Sequence, residues 1–97
     1  MATKRAQATA ITQVDNERVT VTEWRFPPGG ETGWHRHGHD YVVVPMLDGK
    51  LLLETPNGEV VSVLKCGKSY FRNAGVEHNV INPSETEFAF VEIEIKS

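Results

Sequence analysis

Three of the four histidines in this chain lie in one short stretch, Trp34-His35-Arg36-His37-Gly38-His39-Asp40-Tyr41-Val42-Val43-Val44-Pro45. The β-branched run after the histidines is typical of a β-strand. Side chains at positions i and i+2 of a strand project from the same face. The stretch therefore predicts that His35 and His37 point in one direction.

The remaining histidine, His78, lies in a second stretch, residues 67–82, which turn residues also interrupt. If the two stretches form neighbouring strands, three imidazoles can meet in one metal site. Imidazole suits Zn, Cu, Fe and Ni, and three protein ligands leave positions open for water or a substrate. The alternative is that the histidines are packed or surface polar groups without a metal.

The residues around these histidines have a spacing that resembles the two sequence motifs of the cupin family. The first resemblance consists of Gly29, five residues, His35-x-His37 and then Gly49. The second consists of Gly67, five residues, Asn73-x-Gly75, two residues, His78, three residues and Asn82. Asn73 stands where the family usually has proline.

The first stretch is similar to small single-domain, RmlC-like cupins known as β-alanine degradation proteins. The resemblance implies one cupin domain over residues 1–97. Its fold would be a double-stranded β-helix, the cupin jelly-roll barrel of short antiparallel strands, often assembled as a homodimer. The resemblance also implies that His35, His37 and His78 hold a divalent transition metal, which could be Fe, Zn, Ni or Mn.

One departure from the family pattern affects the expected metal chemistry. The usual glutamate of the first motif aligns with Val42, seven residues before Gly49, and valine cannot bind a metal. Three neutral histidines would leave the ion its full charge, as in the cupin dioxygenases that act on thiols and gentisate. Such a centre favours small anionic ligands. The alternative is a degenerate site that binds metal poorly.

Other residues are candidates for contact with the metal or its ligand. Gly38 and Asp40 predict a turn, which would leave His39 exposed and place Tyr41 at the start of the next strand. Tyr41 would then contact the metal or its ligand, or be half-buried with a local hydrogen bond. Candidate cavity walls are Trp34, Tyr41, Tyr70 and Phe90. Asn82 and Glu54 are candidate acceptors for the outer ring nitrogens of the histidines, and no catalytic base is evident.

Composition excludes several classes of function. The chain has 97 residues, a net charge of −3 and no basic stripe, so neither nucleic acid nor an anionic membrane is an expected partner. The N-terminal residues lack the apolar stretch of a secretory signal. A single cysteine, Cys66, cannot form an internal disulfide, and we expect it to be buried or half-buried. These features favour a cytoplasmic protein with a small-molecule ligand.

The rest of the sequence predicts an all-β fold. Strand-forming runs separated by turn residues lie at Thr9–Val14, Arg18–Phe26, Trp34–His37, Tyr41–Leu47, Lys50–Glu54, Glu59–Leu64, Ser69–Arg72, His78–Ile81 and Thr86–Ile95. Asp48-Gly49 predicts a tight hairpin into the fifth run. No segment shows a helical period with caps, which favours a sandwich or barrel.

The last run has two different faces. One carries Ala89, Val91, Ile93 and Ile95, and the other carries Phe88, Phe90, Glu92 and Glu94. The aromatic and acidic face is either a solvated strand end or a dimer contact.

Two functions remain open from the sequence. The first is an enzyme in which a three-histidine metal activates dioxygen or acts as a Lewis acid on a small anionic metabolite. The second is a non-catalytic binding or sensor protein that uses the same site to hold a small ligand. A metal capped by Tyr41 or His39 would favour the second function, because turnover needs open coordination positions.

Overall fold

The computed structural model describes residues 5–97, and this part of the chain contains β-strands and no helix. The strands are β1 (Thr9–Asp15), β2 (Val19–Phe26), β3 (His35–Arg36), β4 (Asp40–Pro45), β5 (Gly49–Thr55), β6 (Gly58–Leu64), β7 (Tyr70–Arg72), β8 (Glu77–Ile81) and β9 (Phe88–Ile95). The all-β prediction is therefore confirmed. Residues 5–97 form no helix, so this part of the chain has no helix long and apolar enough to cross a membrane.

The strands form two antiparallel sheets. One has the order β1-β2-β9-β4-β7 and the other the order β3-β8-β5-β6. The buried apolar residues lie between them: Ala8, Phe26, Tyr41, Val43, Leu51, Leu64, Val80, Phe88 and Phe90. Burial in β4 alternates, with Tyr41 and Val43 buried and Val42 and Val44 only partly buried. A period of two is expected when one face of a strand covers the core.

The position of Pro45 explains how a central strand tolerates proline. The neighbouring strand β7 pairs only with Tyr41–Val43, so β4 has already passed the end of β7 when it reaches Pro45. The missing N–H therefore interrupts no β7 ladder, as the sequence suggested for this position.

The predicted Asp48-Gly49 hairpin is wrong. β4 belongs to one sheet and β5 to the other, so the segment between them crosses over instead of turning back. A Cβ at Gly49 would lie 2.7 Å from the Phe88 ring, so close packing is the reason for glycine there. The Asp48 carboxylate accepts a hydrogen bond from the backbone N–H of Cys66 at 2.8 Å. Cys66 itself is exposed, contrary to expectation.

Candidate metal centre

Three histidines converge from two strands and the loop that follows the first of them. His35 of β3 is paired in register with His78 of β8, so their side chains share a face. His37 follows β3, and its backbone exchanges hydrogen bonds of 2.8 Å with the Val76 carbonyl and the Gly75 N–H. The Nε2 atom of His37 lies 3.1 Å from Nε2 of His35 and 3.2 Å from Nε2 of His78.

These separations suit ligands of one metal ion. With metal–nitrogen bonds of about 2.1 Å, neighbouring ligand atoms are about 3.0 Å apart on an octahedral ion and about 3.4 Å apart on a tetrahedral one. The two measured separations, 3.1 and 3.2 Å, lie between these values. Within residues 5–97, these histidines are the group of side chains close enough together to hold a metal.

The hydrogen bonding of His35 leaves a lone pair available for the metal. Its Nδ1–H donates to the Gly33 carbonyl at 2.9 Å. Because a carbonyl only accepts, Nδ1 carries the proton, and in the neutral ring Nε2 is then unprotonated. This is the ligand form, and a backbone carbonyl is a common partner for the outer nitrogen of a metal-binding histidine.

Burial keeps two of the histidines neutral. His37 and His78 are 7% and 8% exposed. Desolvation, with smaller contributions from the neighbouring imidazoles of His35 and His78, lowers the pKa of His37 to about 4. Desolvation likewise lowers the pKa of His78 to about 4, with smaller contributions from His35 and Arg72. Neutral imidazole is the form that binds a metal.

The histidines open onto a cavity of about 140 Å³ between the two sheets. Its wall is largely apolar and aromatic; it includes Trp24, Tyr41, Val43, Leu51, Leu53, Tyr70, Val80 and Phe90. Three of the four predicted wall residues, Tyr41, Tyr70 and Phe90, therefore lie at the cavity. The ring of Tyr41 stacks on the imidazole of His37, with centroids 3.9 Å apart and planes inclined by 20°.

The prediction that Trp34 lines the cavity is wrong. Its side chain is 52% exposed, and the indole N–H donates to the Glu77 carboxylate at 2.7 Å. Adjacent strand residues point to opposite faces. Because His35 faces the cavity, Trp34 beside it is directed outward.

The prediction that Asn82 and Glu54 accept hydrogen bonds from the histidine rings is also wrong. Asn82 is 1% exposed, and its side-chain amide donates to the backbone carbonyls of Phe26, Pro27 and Thr86. Glu54 accepts a hydrogen bond from Asn79 at 2.9 Å and is one step removed from the metal centre. The link runs through Asn79, whose Oδ1 accepts the Gly33 N–H at 2.9 Å and so fixes the loop that supports His35.

His39 lies outside the group of three. Its side chain is 45% exposed, and its Nδ1 lies 3.5 Å from the Glu94 carboxylate. The predicted turn is present, because β3 ends at Arg36 and β4 begins at Asp40. His39 is therefore not among the side chains grouped at the centre.

The carboxylate nearest the centre comes from β9, whose acidic residues the sequence analysis did not connect with the metal. Val42 is displaced by one residue from the buried face of β4 and is absent from the cavity wall, so its correspondence with the family glutamate is wrong. Glu92 of β9 lines the cavity, and its Oε1 lies 4.0 Å from Nε2 of His37. The face of β9 with Phe88, Phe90 and Glu92 points inward, which makes it neither a solvated strand end nor a dimer contact.

The charge of Glu92 is costly in this position. Burial, with a smaller contribution from Glu94, raises its pKa to about 7 against the opposing effect of a hydrogen bond from Trp24. The other titratable groups around it are His37, Tyr41, Tyr70 and Arg72. The alternation of side chains along β9 could have identified Glu92 from the sequence. Glu92 is two residues after Phe90 and therefore lies on the same face, which covers the core.

The fold and the site define the class of protein. Residues 22–94 match the family model of the cupin domain, and the chain belongs to the cupin family. This also confirms the predicted double-stranded β-helix. The chain is 66% identical to the β-alanine degradation protein BauB of Pseudomonas aeruginosa over 92 residues, which are 95% of this chain and 97% of that protein.

Solved structures agree with this assignment. A cupin domain protein from Bordetella pertussis has a TM-score of 0.97 and 71% identity, covering 99% of this chain and 100% of the other. An RmlC-like cupin from Shewanella frigidimarina has a TM-score of 0.72 and 22% identity, covering 95% of this chain and 78% of the other. The second likeness concerns the fold alone.

Proposed function

We propose that this cupin is a three-histidine metalloprotein that acts on a small anionic metabolite in the degradation of β-alanine. The observation that carries the proposal is the convergence of three Nε2 atoms, with separations of 3.1 and 3.2 Å, at a cavity between the sheets. The ligands are His35, His37 and His78. The metal is a divalent transition ion such as Fe, Zn, Ni or Mn, of which the imidazole donors suit the first three.

The size of the cavity supports a small ligand. A volume of about 140 Å³ has room for a molecule of a few carbon atoms. Three neutral ligands leave the ion's positive charge in place, which favours a carboxylate at an open coordination position. The 66% identity to a β-alanine degradation protein supports a metabolite from that route.

The residues at the site support a reaction more than simple capture. When bound, a metal there would supply Lewis acidity and, if redox-active, the ability to react with dioxygen. The stacked Tyr41 ring fixes the orientation of His37, and the apolar wall excludes water from the ligand. Since His39 does not belong to the three-histidine group and the Tyr41 ring stacks flat on the His37 imidazole, we expect coordination positions to remain available to a substrate.

Metal analysis of protein purified without a histidine tag tests the proposal. We expect about one transition metal per chain and, for the loaded protein, saturable binding of small carboxylates such as propionate. Oxygen consumption or conversion of the carboxylate would then establish the enzyme, whereas binding without turnover would establish the sensor or binding function. Protein that takes up no divalent metal when one is added would overturn the proposal.

The proposal includes a homodimer and a cytoplasmic location. β6 is at the edge of its sheet, and its Val61 and Val63 are 61% and 64% exposed. An apolar sheet edge is a surface on which a second chain can pair. The exposed free thiol of Cys66 supports a reducing compartment.

Light scattering tests the dimer. Val61→Lys should convert it to a monomer, while Val14→Lys, at the 42% exposed Val14 on the edge strand β1 of the other sheet, should leave it intact. A wild-type monomer at high concentration would contradict the dimer.

A further inference from the structure

Glu92 is a buried carboxylate that faces the metal centre without a fixed cationic partner. It is 8% exposed, and its neighbours across the sheet are Thr22 of β2 and Val43 of β4. Within residues 5–97, its one ion-pair contact is with His37 at 4.0 Å. A buried charge without a partner is strongly unfavourable. The Trp24 indole donates a hydrogen bond to Glu92 but brings no positive charge. A cation or a further donor on the bound species would therefore stabilise the carboxylate.

Glu92 is also placed where a ligand would pass and bind. It lines the interior cavity together with the three histidines. It also lines a second pocket beside them, with Trp24, Thr32 and Glu94 in its wall. A molecule bound at the open side of the histidine group would therefore have the Glu92 carboxylate alongside it.

We propose that Glu92 recognises the donor group of a ligand whose carboxylate is bound at the three-histidine centre. This inference rests on the proposed function above. A divalent ion on the histidines and the carboxylate of Glu92 form a positive and a negative group next to each other. Their complement is a short molecule with a carboxylate at one end and an amino or hydroxyl group at the other.

The ligand class is accordingly that of short ω-amino and ω-hydroxy acids. An ammonium group would form a charge-assisted hydrogen bond to Glu92, which is stronger than a bond between neutral groups. A simple fatty acid of the same length would leave Glu92 with the Trp24 indole but with no donor from the ligand. The site would thus discriminate by a buried polar group, which separates analogues better than an apolar wall does.

Calorimetry on zinc-loaded protein tests this with three acids that share one carbon skeleton: β-alanine, 3-hydroxypropionate and propionate. Wild-type protein should bind β-alanine roughly tenfold or more tightly than propionate, which corresponds to about 1.4 kcal/mol, with 3-hydroxypropionate between them. Glu92→Gln should remove the preference for β-alanine and bind propionate more tightly, because a negative charge near its carboxylate is gone.

Glu59→Gln is the matched control, since Glu59 is an exposed carboxylate on β6 that lines neither pocket. It should keep the wild-type order of the three acids. Glu92→Asp keeps the charge and should retain a reduced preference, which provides a second variant if the glutamine variant does not fold. The same ratio of affinities in wild type and Glu92→Gln would overturn the role of Glu92. If no variant binds zinc or any of the acids, the proposed function itself fails.

Discussion

The two ends of the barrel use residues of the same two motifs for opposite purposes. At one end, His35, His37 and His78 bring polar ring nitrogens together in a buried place. At the other end, Gly49 packs against Phe88, and Asn82 bonds to three backbone carbonyls. Asn82 follows His78 by four residues, which is about 13 Å along a strand.

The difference between the ends teaches which motif residues carry chemistry. The histidine end lowers the stability of the metal-free fold, because burial holds the pKa of His37 and of His78 below its ordinary value and so opposes their protonation. The far end supports stability, because a fully buried amide is satisfied there by carbonyls of the loops that close the barrel. Substitutions at the two ends should therefore separate metal binding from folding.

The largest expected effect is at the histidine end. His78→Ala removes one of three ligands and should abolish metal binding while the protein stays folded. His39→Ala is the control, because His39 is exposed and pairs with Glu94, and its metal content should equal that of wild type. Elemental analysis after dialysis against a limiting metal supply measures both. Equal loss of metal in the two variants would show that His39 is a ligand.

The second prediction concerns the pH dependence of stability in metal-free protein. The folded pKa of His37 and of His78 is about 4, below the ordinary 6.5, so between these values the unfolded chain binds two protons that the folded chain does not. Glu92 has a raised folded pKa of about 7, and between about pH 4.5 and 6.5 the folded chain holds one proton that the unfolded chain lacks. For these three groups the unfolded chain binds one more proton, so stability falls as pH falls.

Glu92→Gln removes the contribution of Glu92 to this difference in bound protons and leaves that of the two histidines. Without the opposing carboxylate, the excess for the same groups becomes two protons, and each proton contributes about 1.4 kcal/mol per pH unit. Denaturant unfolding from pH 6.5 to 4.5 in the presence of a chelator should therefore show a slope that is steeper by roughly 1 kcal/mol per pH unit in the variant. Parallel slopes would mean that Glu92 is ionised throughout this range in the folded protein.

The third prediction is for the far end. A Cβ at Gly49 would come within 2.7 Å of the Phe88 ring, so Gly49→Ala should destabilise the fold by about 1–3 kcal/mol and leave the metal content unchanged. Gly38→Ala has open space around the added methyl group and should be nearly neutral. Thermal unfolding compares the two, and a loss of metal in folded Gly49→Ala protein would contradict the separation of the two ends.

The sequence predicted the histidine end better than the rest of the cavity. His-x-His on a strand and the motif spacing are local signals, so the convergence of three imidazoles and the order of nine short strands could be read from the chain. The crossover at Asp48-Gly49 and the role of Glu92 depend on which strands become neighbours. That pairing is fixed by contacts between β9 and strands far from it in sequence.

The alignment of Val42 with the family glutamate is a second case in which the sequence did not predict which side chain faces the cavity. Counting seven positions back from Gly49 selects Val42, whereas the residue that stacks on His37 is Tyr41, four positions after it. The side-chain period of a strand is two, so a difference of one residue moves a side chain to the opposite face. An error of one position thus exchanged a residue inside the cavity for one outside it.

The smallest expected effect tests this correction. Val42 lies beside Phe71 and Ile93 in the sheet, on the face away from the cavity. Val42→Glu should therefore change neither metal affinity nor the affinity for propionate by more than about twofold. This contrasts with the sequence-based expectation that a carboxylate at position 42 tightens metal binding and weakens anion binding. Titration of zinc and then propionate into both proteins measures the two affinities. A metal affinity that rises tenfold in Val42→Glu would mean that β4 turns this side chain toward the histidines. The inner and outer faces assigned to this strand would then have to be exchanged.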